Sequence, residues 1–114
     1  MDTKRSDRLA ELLLEDVAEL LNREINDPRI VPVTLTGVNV SKDLKHARIY
    51  FSLLDESRNR DEVLGGLRSA TGFIRARIAK RLNVRFVPTI EFLYDEASAN
   101  AERIEKLLRE VKKG

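Results

Sequence analysis

The spacing of apolar residues changes along the chain between a helical and a strand repeat, and this alternation restricts the possible folds most strongly. Residues 4–25 repeat apolar side chains every three or four positions, which is typical of an amphipathic helix with one buried face. Apolar and polar side chains alternate over residues 46–54 and 89–94, which predicts strands. Helical spacing returns over residues 58–82 and 98–111. The chain is therefore predicted to fold as an α+β domain.

A further strand is predicted over residues 33–40, but its alternation changes phase. Val33 and Leu35 share one face of this strand, whereas Val38 and Val40 would lie on the other. An extra residue in a strand restores the phase, and glycine is often found where this happens. We therefore predict a β-bulge at Gly37.

The helical segment over residues 58–82 is expected to be interrupted. The small residues Ser69-Ala70-Thr71-Gly72 separate two apolar stripes, and helices bend or break at such sites. We expect Gly72 to let the chain change direction, with a positive φ angle. The predicted order is helix, strand, strand, helix, kink, helix, strand and C-terminal helix, with a three-stranded sheet covered by helices on one face.

Length and composition favour a small protein without covalent cross-links. The 114 residues are expected to form one domain, 1–114, in which residues 97–114 supply the terminal helix and a frayed tail. No apolar run is long enough to span a bilayer, and the charged N-terminal sequence does not resemble a signal peptide. The absence of cysteine fits a reducing, cytoplasmic location.

Positive charge is concentrated in one part of the chain. Residues 68–85 contain six basic and no acidic residues, so the rest of the chain carries a net charge of −4 within a total of +2. A basic segment on an otherwise acidic molecule creates a polarised surface, which orients a polyanion. This distribution favours nucleic acid as the partner, although a solvated helix face gives the same pattern.

No catalytic constellation can be assembled from the sequence. His46 is the single histidine and, without cysteine, cannot complete a structural zinc site or a Cys–His pair. The acidic pairs lie at predicted loops and helix starts, where carboxylates usually cap helices or face water: Asp55-Glu56, Asp61-Glu62 and Asp95-Glu96. Phosphate-binding glycine loops are absent. The sequence therefore predicts a protein that is not an enzyme and that has no cofactor or metal.

The basic segment has a geometry suited to a phosphate backbone. Arg77, Lys80 and Arg81 are spaced so that they share one face of a helix, opposite an apolar face. Phe73 falls within the basic face, where an aromatic ring can stack on an unpaired base. The alternative is that Phe73 turns into the core beside the kink, and we favour this packing interpretation.

Several segments resemble a known family. The order of elements resembles the type II KH domain, a single-stranded nucleic-acid module, but Ala70-Thr71-Gly72 stands where the usual GxxG loop is expected. This Ala-x-Gly sequence is similar to the kink of the ribosome-binding factor A family. The resemblance extends to four other segments in the same order: Asp27-Pro28-Arg29, residues 38–44, Arg85-Phe86-Val87-Pro88 and Phe92-Leu93-Tyr94-Asp95.

The resemblance implies an assembly factor that binds the immature small (30S) ribosomal subunit through 16S rRNA and supports 16S rRNA processing and maturation. It also implies a cytoplasmic monomer, independent of membranes and often needed most at low temperature. Two other classes remain open: a protein-interaction module that docks through its sheet edge or acidic first helix, and an enzyme built from scattered carboxylates. The implied RNA-binding residues are Arg68, Ser69, Ala70, Gly72, Arg75, Arg77, Lys80, Arg81 and Arg85.

Overall fold

The computed structural model describes residues 3–25, 27–30, 33–53, 57–97 and 108 of the chain. The predicted terminal helix over residues 98–111 falls outside these residues apart from Leu108, and so do Leu54, Asp55 and Glu56. The elements agree with the predicted segments to within a few residues. They are α1 (Thr3–Arg23), β1 (Val33–Val40), β2 (His46–Leu53), α2 (Arg60–Leu82) and β3 (Thr89–Tyr94).

The three strands form one sheet in the order β1-β2-β3. β1 runs antiparallel to β2, whereas β3 runs parallel to β2. A parallel neighbour requires a crossover connection, and α2 provides it. α1 packs on β1, α2 packs on β3, and the two helices contact each other. The α+β architecture expected from the sequence is confirmed.

The phase change in β1 is produced by a β-bulge, as predicted. Leu35 pairs with Phe51 and Gly37 pairs with Tyr50, so Thr36 is the extra residue. Because of this insertion, the aliphatic side chains on both sides of the bulge face the same core. The bulge therefore lets the whole of β1 contribute to one apolar layer.

The core lies between the sheet and the two helices. The four inward positions of β2 are buried, and Phe92 of β3 is 2% exposed. These side chains meet the buried faces of the helices. The buried apolar side chains of the helices are Leu13, Val17, Leu20 and Leu21 of α1, and Val63, Leu67, Ile74 and Ile78 of α2.

The expected break in α2 and the positive φ angle at Gly72 are not present, so those predictions are wrong. α2 continues for 23 residues from Arg60 to Leu82, and no glycine among the described residues has a positive φ angle. The hydroxyls of Ser69 and Thr71 donate hydrogen bonds to carbonyls one turn earlier, both at 3.0 Å, so they are satisfied within the helix. The two apolar stripes predicted from the sequence form one continuous stripe along α2. Burial of this stripe against the core stabilises the helix over its whole length.

The ends of α2 are capped by asparagines. The side-chain oxygen of Asn59 accepts hydrogen bonds from the backbone N–H groups of Asp61 and Glu62, and those two carboxylates favour the positive end of the helix dipole. At the other end Asn83 adopts the left-handed conformation, with φ at 51°, which is a common helix stop. The acidic pair 61–62 therefore lies at a helix start, as the sequence suggested.

The Asp27-Pro28-Arg29 segment after α1 is held by arginines. The Asp27 carboxylate accepts hydrogen bonds from the backbone and the guanidinium of Arg29. These hydrogen bonds are the main reason that the pKa of Asp27 lies below the ordinary value. Arg58 donates to the Pro28 carbonyl at 2.7 Å. The segment also lies against α2, since a Cβ on Gly66 would stand 3.0 Å from Ile30 and 3.1 Å from Arg29.

We expect the neighbouring glycines of α2 to respond in different ways to alanine. A Cβ at Gly65 meets no atom within 4 Å, so Gly65→Ala should stabilise the helix by up to about 1 kcal/mol. Gly66→Ala places a methyl group against Ile30, which is 2% exposed and has little room to move. Gly66→Ala should therefore be less stable than Gly65→Ala by about 1–3 kcal/mol in urea denaturation. Equal stabilities would contradict the close packing of the 27–30 segment.

Candidate nucleic-acid interface

The solvent face of α2 carries exposed cations separated by small residues. Arg68 and Lys80 are both exposed and lie about 18 Å apart along the helix axis. Neither side chain has an ion pair with another described residue. Ser69 and Gly72 are exposed between them, and the position of a Cβ at Gly72 is open. A phosphate backbone can therefore approach the helix closely between two charges that no described carboxylate neutralises.

Phe73 lies on this exposed face and not in the core, so the packing interpretation is wrong. Its side chain is 46% exposed, because the next residue, Ile74, occupies the inward position. The guanidinium of Arg77 stands 5.8 Å from the centre of the Phe73 ring, which is within cation–π range. The ring is thus available for stacking.

Arg77 and Arg81 face α1 and are paired with carboxylates of α1 and of Glu24, which directly follows it. Arg77 is ion-paired with Glu24, and Arg81 lies 3.2 Å from Glu19 and 3.5 Å from Asp16. Hydrogen bonds from these arginines are the main reason that the pKa values of Glu24 and Glu19 lie below the ordinary value. These two arginines therefore join the helices, and their charges are partly neutralised.

The pKa shifts of Glu19 and Glu24 predict acid sensitivity. A carboxyl whose folded-state pKa is lowered contributes stability above its unfolded-state pKa, near 4.5, and this contribution is lost as the pH falls through the lowered value. The melting temperature should therefore decrease on acidification below about pH 5. Glu19→Gln with Glu24→Gln should reduce this decrease, and added salt should reduce the difference between the proteins. A double variant with the same pH profile as the wild type would show that the pairs contribute nothing.

Arg75 and Ala70 point towards the protein. The guanidinium of Arg75 donates hydrogen bonds to the carbonyls of Val87 at 2.9 Å and Pro88 at 3.1 Å. Ala70 is half-buried and packs against the core. Arg85 is exposed on the segment that follows α2. The nine residues implied by the resemblance are therefore divided between an exposed face, an interhelical contact and the interior.

The structure contains an apolar groove that the sequence analysis missed. It lies between the N-terminal half of α1, the β1–β2 turn, the end of α2 and residues 83–88, and has a volume of about 880 Å³. Its walls come from four separated segments, so no local pattern revealed it. The one feature of the sequence that could have indicated the groove was the group of apolar residues after α2: Val84, Phe86 and Val87.

Two negative observations apply to the described part of the chain. No group of three or more acidic or histidine residues there is arranged to hold a metal ion. No helix within the described ranges has the length and apolar composition needed to cross a membrane.

The ring nitrogen Nδ1 of His46 lies 2.8 Å from the Thr89 hydroxyl.

The order of elements, the mixed sheet and the exposed basic helix define the class as a small α+β domain in which one long helix connects two parallel strands. A family model described as ribosome-binding factor A matches residues 5–108. The ribosome-binding factor A of Geobacter metallireducens is 44% identical over 108 residues, which cover 95% of this chain and 92% of that protein. The chain belongs to the ribosome-binding factor A family.

Solved structures agree with this assignment. The crystal structure of ribosome-binding factor A from Thermus thermophilus has a TM-score of 0.71 at 28% identity, covering 78% of this chain and 93% of that one. A homology model of the Thermus thermophilus factor, fitted into the cryo-electron microscopy map of a 30S complex with the factor, has a TM-score of 0.65. It is 30% identical and covers 77% of this chain and 92% of that chain.

Proposed function

We propose that this protein binds the immature 30S ribosomal subunit through 16S rRNA and supports 16S rRNA processing and maturation without catalysis. The observation that carries the proposal is the similarity to a chain fitted into a 30S complex, at 30% identity over 77% of this protein. The 44% identity to the Geobacter metallireducens ribosome-binding factor A supports it. The protein would act in the cytoplasm as a monomer.

The exposed face of α2 is the proposed contact with rRNA. Arg68 and Lys80 supply charges that no described carboxylate neutralises, and Arg85 adds a third beyond the helix. Ser69 and Gly72 allow the phosphate backbone to come close to α2. Phosphate contacts fix the position of a protein on a nucleic acid, so this face would orient the domain on the subunit.

The alternative of a protein-docking module is only partly opposed by the same contacts. Glu19 of α1 and Glu24, which follows α1, are paired with α2, so their charges are not free for a basic partner. Asp7, Glu11 and Glu15 of α1 are exposed and have no ion pair with another described residue. The salt dependence of binding separates the two hypotheses.

Sedimentation of a cell extract on sucrose gradients tests the proposal. The protein should sediment with free 30S subunits and not with 70S ribosomes, and a deletion strain should accumulate free 30S subunits and 16S precursor. Binding to purified immature 30S subunits should weaken with salt, by about 0.7–0.9 in log–log slope for each phosphate contacted. Correction of the deletion phenotype should follow the amount of protein bound, without turnover. A flat salt response would instead favour a protein partner.

A further inference from the structure

The apolar groove gathers exposed hydrophobic side chains at one place. Five large hydrophobic residues among those described are exposed, and three of them line this groove: Leu12 at 39%, Val84 at 40% and Phe86 at 85%. Scattered exposed apolar residues are ordinary, but a contiguous patch usually marks an interaction site. The patch lies beyond the end of α2, separate from the proposed contact along its solvent face.

The backbone that carries Phe86 is held in place. Arg75 binds the carbonyls of Val87 and Pro88, and Pro88 is buried. On the other side, Asn83 ends α2 in the left-handed conformation and the N–H of Val84 donates to the Ala79 carbonyl at 3.2 Å. The Phe86 ring is thus presented to solvent by a segment fixed at both ends, which reduces the entropy lost when a ligand binds.

The rim of the groove is positively charged. Arg5 and Arg8 of α1 and Lys45 of the β1–β2 turn line it, are exposed, and have no side-chain ion pair with another described residue. Asp43 is the single carboxylate in the lining. It accepts hydrogen bonds from the Ser41 hydroxyl at 2.6 Å and the Lys45 N–H at 3.0 Å, and these bonds lower its pKa. The acid is therefore occupied locally, although it also attracts the charge of Lys45, whereas Arg5 and Arg8 have no carboxylate partner among the described residues.

An exposed aromatic ring, apolar walls and unpaired cations suit a flat base that carries phosphates. We propose that this groove binds an unpaired nucleotide of single-stranded RNA, with Phe86 stacked on the base and Arg5, Arg8 and Lys45 neutralising the adjacent phosphates. An apolar protein segment would fill the walls but leave these cations unmatched, whereas RNA satisfies both. The inference rests on the proposed function, because it takes RNA as the partner. It adds to the α2 face a second contact, which binds unstacked nucleotides.

Tryptophan substitution provides a direct test, since the chain contains no tryptophan. Phe86→Trp keeps a stacking surface and should show fluorescence quenching with an unstructured RNA oligonucleotide, but little with a duplex of equal charge. Phe86→Ala should weaken oligonucleotide binding by about 5- to 100-fold. Arg5→Glu with Arg8→Glu should lower the salt slope by about 1.4 for two lost phosphate contacts. Circular dichroism should be unchanged in each variant, because all three side chains are exposed.

Phe73→Trp is the matched reporter on the solvent face of α2. Quenching of the Phe73→Trp protein but not of the Phe86→Trp protein would place the base on α2 and overturn the inference. Equal quenching of the Phe86→Trp protein by single-stranded and duplex RNA would also overturn it. Quenching at position 86 by an acidic peptide but not by RNA would also overturn it. If Phe86→Ala still binds the oligonucleotide and 30S subunits like the wild type, the groove inference fails while the proposed function stands. If the wild type does not sediment with 30S subunits, the proposed function itself fails.

Discussion

A protein with Arg68→Glu and Lys80→Glu should fold normally and bind 30S subunits much more weakly than the wild type. Both side chains are exposed on α2 and pair with no described carboxylate, so reversing their charge breaks no ion pair within the described part of the fold. Each lost phosphate contact removes about 0.7–0.9 from the log–log salt slope, so the slope should fall by about 1.4–1.8. Affinity should decrease by about tenfold or more, since the new carboxylates also repel phosphate. Co-sedimentation with purified subunits over a salt series measures both quantities.

The matched control is Arg23→Glu with Lys42→Glu, which produces the same net charge at exposed positions away from α2. Arg23 is 77% exposed and contributes one i,i+4 pair with Glu19, which is worth little. This control should retain most of the binding. Equal loss of binding in both double variants would show that net charge, and not the α2 face, determines association.

Arg75→Met should be the most destabilising change at any of the nine residues implied by the resemblance. It removes two hydrogen bonds from a charged donor, each worth about 1.5–3 kcal/mol, and leaves the carbonyls of Val87 and Pro88 without this partner. Because the site is half-buried and water can replace part of the loss, we expect a decrease of about 2–4 kcal/mol in the free energy of unfolding. Urea denaturation measures it.

Arg68→Met is the control for that experiment. It removes an exposed arginine from the same helix and should change stability by less than about 0.5 kcal/mol. Arg75→Lys should recover part of the loss, since an ammonium reaches one carbonyl but lacks the planar fork. If Arg75→Met kept wild-type stability and lost RNA binding, Arg75 would belong to the interface.

The strands and α1 could be predicted from the sequence because their signals are local. The alternation of β2 fixes its buried face, and the phase change in β1 identified the bulge to within one residue. The break in α2 was predicted wrongly because the small residues 69–72 suggested an interruption, whereas Ile74 continues the apolar stripe begun by Val63. Burial of one continuous face outweighed the weak helix propensity of Gly72.

The candidate nucleic-acid interface could be predicted less completely from the sequence, because it depends on contacts between distant segments. A helical wheel places Arg77 and Arg81 with Lys80, but only the packing of α1 against α2 shows that two of these three are paired with carboxylates. Arg75 has the same charge as Arg68, and its role depends on carbonyls 12 and 13 residues away. The groove likewise exists only after four segments meet.

The bulge at Thr36 also affects how the folded protein behaves among its own copies. β1 is at one edge of the sheet, and an edge strand offers unpaired N–H and C=O groups to any other extended chain. An extra residue in the middle of β1 interrupts the regular spacing of those groups and increases the local twist. A second molecule therefore cannot add a full-length strand in register along this edge. The same insertion that lets β1 fill the core thus protects the β1 edge of the sheet against pairing with another molecule.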